Sequence, residues 1–160
     1  MRYKMTFATD LTIAHLKGHV DEHVGGTLAE VRRQIRTRRA VLDLGGVGIL
    51  NSVGVSIWLA HIKAFDDLEL ELTNCPHPFT SLVLLVPELA GKGRIHSFFV
   101  RYFCDHCADD EEQQGLVTSE ETLALGTFPA KGCRKCGLAM GVEEADLDLL
   151  ELFAPVKRAG

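Results

Sequence analysis

A chain of 160 residues, 46% hydrophobic and 24% charged, has the composition of a folded globular protein, and its net charge of −5 argues against non-specific nucleic-acid binding. The longest uncharged run, Leu44–Ile62, holds four glycines, an asparagine, two serines and a histidine, which excludes a membrane-spanning helix. The opening MRYKMTFATD has neither the apolar core nor the cleavage site of a secretory signal, so a cytoplasmic location is expected.

In chain order, Tyr3–Thr9 and Leu11–Val20 read as a strand pair joined tightly at Asp10. Beyond Asp21, Val24, Leu28, Val31 and Ile35 form one apolar stripe of a helix. Asp21 and Glu22 suit its positive end, and Arg32, Arg33, Arg36 and Arg38 suit its negative end as a solvated face rather than a phosphate site. Ala40–Leu44 has the apolar character of a strand buried on both faces, expected to stop at Gly45–Gly46. Asn and Ser are preferred helix caps, and Asn51–Ser52 is expected to cap a second helix, Ser52 included, with Gly54 allowing close packing in its first turn. The buried stripe of that helix is Val55, Trp58, Leu59, Ile62 and Phe65.

Leu68–Leu72 alternates strictly, as a half-buried strand does. Pro78 opens a third helix, with Phe79, Leu82, Val83 and Leu85 apolar before Pro87 interrupts it. Gly91–Gly93 is a turn, and Ile95–Phe103 a strand. The order β-β-α-β-α-β-α-β implies an α/β fold, a mixed sheet with helices packed on it.

The junction VLDLGGVGILNSVGVSIWLAHIKAF (Val41–Phe65), taken in this order of elements, resembles the STAS domain shared by bacterial anti-sigma-factor antagonists and sulfate-transporter tails. In that family a strand ending in Asp-Leu leads to Asp-Ser-(Ser/Thr)-Gly at a helix start, matched here by Asn51, Ser52, Val53 and Gly54. The resemblance spans roughly Tyr3–Phe103. It implies that Ser52 is the phosphoacceptor of a partner serine kinase, a histidine-kinase-like ATPase acting as anti-sigma factor. The partner surface then surrounds the helix start, and the unmodified domain binds the kinase while the phosphorylated one lets go. Asn51 stands where the family has Asp, and Val53 where it has a second hydroxyl.

Composition changes near Phe103. Residues 1–103 carry 12 Lys/Arg against 10 Asp/Glu, whereas residues 104–160 carry 5 against 12 and four of the five cysteines. The first stretch is therefore read as the STAS-like domain and the second as a small acidic subdomain. In the second, CDHC (Cys104–Cys107) and CRKC (Cys133–Cys136) are two C-x₂-C pairs separated by 25 residues. In a cytosolic chain such pairs point to a closed, structural Zn²⁺ site with Cys104, Cys107, Cys133 and Cys136 as ligands. Gly137 resembles the knuckle glycine of a zinc ribbon, with Leu116–Thr118 and Thr122–Leu125 as the intervening strands. His106 is a poorer fourth ligand, and Cys75 reads as a lone buried thiol. Glu143–Phe153 carries Leu147, Leu150 and Phe153 as the stripe of a short helix.

Other chemistry is sparse. GGVG (Gly45–Gly48) lacks the lysine and spacing of a P-loop. Asp66–Asp67 and Asp109–Glu112 read as solvated acids, and His15, His19 and His23 as scattered over strand, turn and helix start. Lys131, Arg134 and Lys135 are too few for a nucleic-acid surface. The leading reading is a non-enzymatic signalling module that binds protein partners. A zinc-stapled scaffold or redox-responsive adaptor without a phosphorylation cycle is the alternative. Small-ligand sensing at the loop before the second helix is a third class.

Overall fold

Period-two patterning gives a hairpin at the start of the chain. Strand β1 (Arg2–Phe7) pairs antiparallel with β2 (Leu11–Val20), setting Tyr3 opposite Leu16 and Met5 opposite Ala14. The structure, a computed structural model, describes residues 1–107 and 112–153. Helix α1 (Val24–Gln34) buries Val24, Leu28 and Val31, and Ile35 follows them into the core. Asp21 precedes this helix and accepts the His23 backbone N–H at 3.0 Å. Arg32 is drawn into a tie with the Ala64 carbonyl and the Asp67 carboxylate, at 2.7 and 2.9 Å.

Strand β3 (Arg39–Leu50), helix α2 (Ser52–Ile62), strand β4 (Glu69–Thr73), helix α3 (His77–Leu85) and strand β5 (Arg94–Ile95) complete the first layer. The sheet order is β1-β2-β3-β4-β5, parallel from β2 onward and antiparallel only at β1. This is the mixed-sheet α/β architecture that the alternation of elements implies. Trp58 locks α2 to α3 and to the chain after it. Its ring meets Phe79 edge-on at 5.6 Å, and its Nε1–H donates to the Leu89 carbonyl at 2.8 Å.

Long-range pairing corrects two expectations, and a locally capped helix corrects a third. First, β3 does not stop at Gly45–Gly46 but runs to Leu50, still paired with β2 through Lys17–Gly46, Gly18–Val47 and Val20–Leu50 across two register shifts. A Cβ on Gly46 would lie 2.8 Å from the Leu16 carbonyl oxygen, so glycine lets the strands approach there rather than ending one of them.

Second, the strand expected over Ile95–Phe103 divides at His96. Arg94–Ile95 closes the first sheet, and β6 (Ser97–Phe103) becomes the centre of another, ordered β7-β6-β8 with β7 (Gln113–Thr118) and β8 (Gly141–Val142). Cys75 stitches the two sheets, its N–H on the Ser97 carbonyl and its carbonyl on the Phe99 N–H.

Third, Thr122–Leu125 is not a strand but part of helix α4 (Ser119–Leu125), so the expected ribbon is not formed among the described residues. Thr118 caps this helix by accepting the Glu121 N–H, Glu120 and Glu121 sit in its first turn, and Gly126 ends it at φ +72°.

The tail forms a 3₁₀ helix over Glu144–Phe153 packed on the body. It turns Asp146, Leu149 and Phe153 inward; Phe153 is buried and Leu150 half-buried as the expected stripe has them, but Leu147 lies exposed. Phe153 stacks on Phe98 at 4.5 Å, and Phe98 meets Phe128 edge-on. Leu85, expected among the apolar positions of α3, lies exposed at its end. Of the acidic runs, Asp109–Glu111 lie outside the described residues. No helix among the described residues is long and apolar enough to cross a membrane.

Candidate functional site

The start of α2 is built by strand pairing and one cap. Asn51 has the extended backbone of a cap, donates its N–H to the Val20 carbonyl at 3.1 Å, and accepts the Gly54 N–H on Oδ1 at 2.7 Å. Ser52 is therefore not the cap. It is the first helical residue and lies exposed. A Cβ on Gly54 would stand 2.1 Å from the Val20 carbonyl oxygen, so that position accepts only glycine. Three residues before the serine Ile49 is 69% exposed, and Val53 directly after it is 54% exposed. His19 fixes the approach by accepting the Ile49 N–H on Nδ1 at 3.1 Å. The result is an exposed hydroxyl at a helix N-terminus, with two uncovered apolar side chains within three residues of it in the chain.

The cysteines converge because the two short segments that carry them leave the same end of one sheet. Cys104 follows β6 directly, and β8 pairs Gly141 with Phe103 and Val142 with Tyr102. The chain just before β8 is thereby brought to the end of β6. There it closes a narrow turn, with the Cys133 N–H on the Leu138 carbonyl, the Gly137 N–H on the Cys133 carbonyl, and the Met140 N–H on the Lys131 carbonyl. Gly137 takes φ +76°, a conformation that favours glycine.

The sulfurs of Cys104, Cys107, Cys133 and Cys136 all lie within 4.8 Å of one another. The contacts Cys104–Cys136 and Cys107–Cys133 are 3.5 and 3.7 Å. Four thiolates at about 2.3 Å from one Zn²⁺ would stand about 3.8 Å apart, so the set fits a tetrahedral metal. Gln113 Nε2–H and the Lys135 N–H point at Cys133 Sγ, at 3.3 and 3.4 Å. Backbone N–H donation from Cys136, then the Gln113 amide and the Lys135 N–H, pull the Cys133 thiol down to about 6. Hydrogen bonding with Cys104, Cys136 and Cys133 pushes Cys107 up to about 12. All four positions of such a site are filled by protein, and His106 lies exposed outside the set. Cys75 is fully buried, and burial pushes its thiol up.

Two polar clusters escaped the sequence reading. Asp146, only 3% exposed, receives Arg101 through Nε and Nη2 at 3.1 and 2.6 Å and faces His77 Nε2 at 3.0 Å. Burial works to raise its carboxyl, but the Arg101 and His77 hydrogen bonds and charges hold it below the usual range. On the first sheet, Asp43 joins His15 Nδ1 at 2.8 Å, Asn74 Nδ2–H at 3.0 Å and the Gly45 N–H at 3.0 Å. Against the effect of burial, these bonds hold its carboxyl low as well. Asn74 reaches it from a left-handed backbone, φ +52°. The partners of Asp146 are 45 and 69 residues away in sequence, so no local pattern announces them. His15 and His19 both belong to β2, with no turn between them. An open hollow of about 500 Å³ is lined by Pro76, Pro78, Phe99 and Gln114 beside His77 and Arg101, and none of residues 49–54 reaches it.

Among solved structures, the chain is similar to the anti-sigma factor antagonist SpoIIAA in its unphosphorylated form. The two are 14% identical over 51% of this chain and 80% of that one, with a TM-score of 0.38. No family model matches the chain, and no curated protein matches it.

Proposed function

We propose that the chain is a cytoplasmic regulatory protein-interaction module of the STAS type, without a catalytic role, whose partner face surrounds Asn51, Ser52, Val53 and Gly54. One observation carries this reading: Asn51 does the capping, so the exposed Ser52 hydroxyl can be modified without dismantling α2. A phosphate there would carry a charge of about −1.5 to −2 at the positive end of the helix, which tolerates it. The same charge would sit next to Val53 and three residues along the chain from Ile49, exposed apolar side chains that a partner on this face would bury. The partner is a histidine-kinase-like serine kinase of the anti-sigma-factor type or another signalling protein; nucleic acid and membrane are not its targets. Zn²⁺ at Cys104, Cys107, Cys133 and Cys136 acts as a structural staple.

A second reading, a zinc-stapled scaffold with a silent Ser52, is favoured by Asn51 and Val53 standing where the resembling family has an acid and a hydroxyl. Capture from the native host with wild-type, Ser52→Ala and Ser52→Asp proteins separates the two. The switch requires a histidine-kinase-like ATPase that is retained by wild type and Ser52→Ala and lost by Ser52→Asp, with the unfolding midpoint unchanged. Full retention of every partner by Ser52→Asp removes the switch and leaves the scaffold.

A further inference from the structure

Exposure divides the four cysteines in a regular way. Cys136 is exposed and Cys107 half-buried, whereas Cys104 and Cys133 are each 4% exposed. Each C-x₂-C turn thus presents one accessible sulfur and one sheltered sulfur. Two short contacts cross from turn to turn, beside the contacts within each turn: accessible Cys136 lies 3.5 Å from sheltered Cys104, and accessible Cys107 lies 3.7 Å from sheltered Cys133. An oxidant that reaches either accessible sulfur finds a second thiolate in contact, held by the opposite segment.

We propose that the cluster is a peroxide-reactive site that closes into two cross-turn disulfides, Cys104–Cys136 and Cys107–Cys133. Its release of metal rests on the zinc reading above; its connectivity does not. For each bridge, two thiolates, one hydrogen peroxide and two protons give one disulfide and two waters. Attack by one thiolate of a pair breaks the O–O bond and forms a sulfenic acid, and its partner then displaces the oxygen as water. Two peroxides oxidise all four sulfurs and leave Zn²⁺ without ligands.

The connectivity has a structural consequence. The β6–β8 pairing is only two residue pairs long, so the cysteine turns are the main covalent opportunity to tie these segments together. Cross-turn bridges preserve that tie after the metal has left. Bridges within each turn would leave the two segments as free of one another as chelation does. Oxidation therefore exchanges a metal staple for a covalent one, and the oxidised module keeps its fold where the metal-stripped, reduced module loses it.

The sequence makes the connectivity readable. Arg134 and Lys135 lie between Cys133 and Cys136, so trypsin separates that pair, and cleavage before Asp105 with Asp-N separates Cys104 from Cys107. Reduced full-length protein is quantified for zinc, titrated with hydrogen peroxide while a metallochromic dye reads released zinc, and mapped under non-reducing conditions. The expected result is one zinc released per chain at two equivalents of peroxide, with peptides linked 104–136 and 107–133. The oxidised protein should also melt above the chelated, reduced one. A map showing 104–107 and 133–136 bridges, or sulfinic acids without bridges, overturns the proposal. Absence of zinc in the reduced protein overturns the zinc reading alone, because the peptide map still decides the connectivity.

Discussion

The five-stranded and three-stranded sheets solve the same problem with different means. In the first, Leu42, Leu44, Trp58, Leu72 and Phe79 are at most 1% exposed, and three helices supply the apolar cover. In the second, Phe98, Val100, Tyr102 and Val117 are buried as deeply, while Leu116, Leu123, Leu125 and Leu138 remain 38–58% exposed. Among the described residues this region also carries two polar ties: the cysteine cluster at one end, and the ion-paired Asp146 joining the tail to β6 and α3. The first sheet leaves the Ser52 hydroxyl exposed at the start of α2.

The largest expected effect breaks the first sheet. Gly54→Val drives a side chain into the Val20 backbone and should cost about 3 kcal/mol or more, read as a lowered urea midpoint of the whole chain. Next comes the second region. Asp146→Ala strands Arg101 and should cost about 2 kcal/mol, below the usual 3–5 for a fully buried pair because the Arg101 side chain is 30% exposed.

Acid sharpens the same contrast. Asp146 and Asp43 both have carboxyls held below their ordinary value in the folded state. Their stabilisation is therefore present above the unfolded-state value of about 3.9 and is lost as pH falls through the lower folded-state values. Wild type should lose stability between about pH 5 and pH 2 more steeply than Asp146→Asn or Asp43→Asn, each variant flattening the profile in its own sheet. The smallest effects test the cap. Asn51→Ala should cost about 1 kcal/mol and Ser52→Ala less than about 0.5 in denaturant melts. Equal costs would return the cap to both residues.

Those contrasts also show where the sequence was legible. Stripes such as Val24, Leu28, Val31 and Ile35, the alternation before and through β4, and the two C-x₂-C spacings are local patterns, and each one found its element or its cluster. Gly45–Gly46 misled because a glycine that ends a strand and one that lets two backbones approach look alike until the partner strand is known. The split at His96 is invisible for the same reason, since IHSFFVRYF reads as one strand whichever sheet receives it. α4 was legible in principle: Thr118, Glu120, Glu121 and Gly126 form a cap, an acidic first turn and a terminator. The expectation of a ribbon between the cysteines overrode them. Ser52 and Asn51 are both good caps by residue type, and only the 2.7 Å reach of Asn51 to Gly54 separates their roles.

The direct test of this division is amide hydrogen exchange on reduced wild-type protein before and after a zinc chelator. The account requires exchange to accelerate across β6, β7, β8 and the tail helix, while β2, the Ala40–Leu44 stretch of β3, β4 and α2 keep their protection. Unchanged exchange everywhere, or equal loss in both sheets, would contradict it.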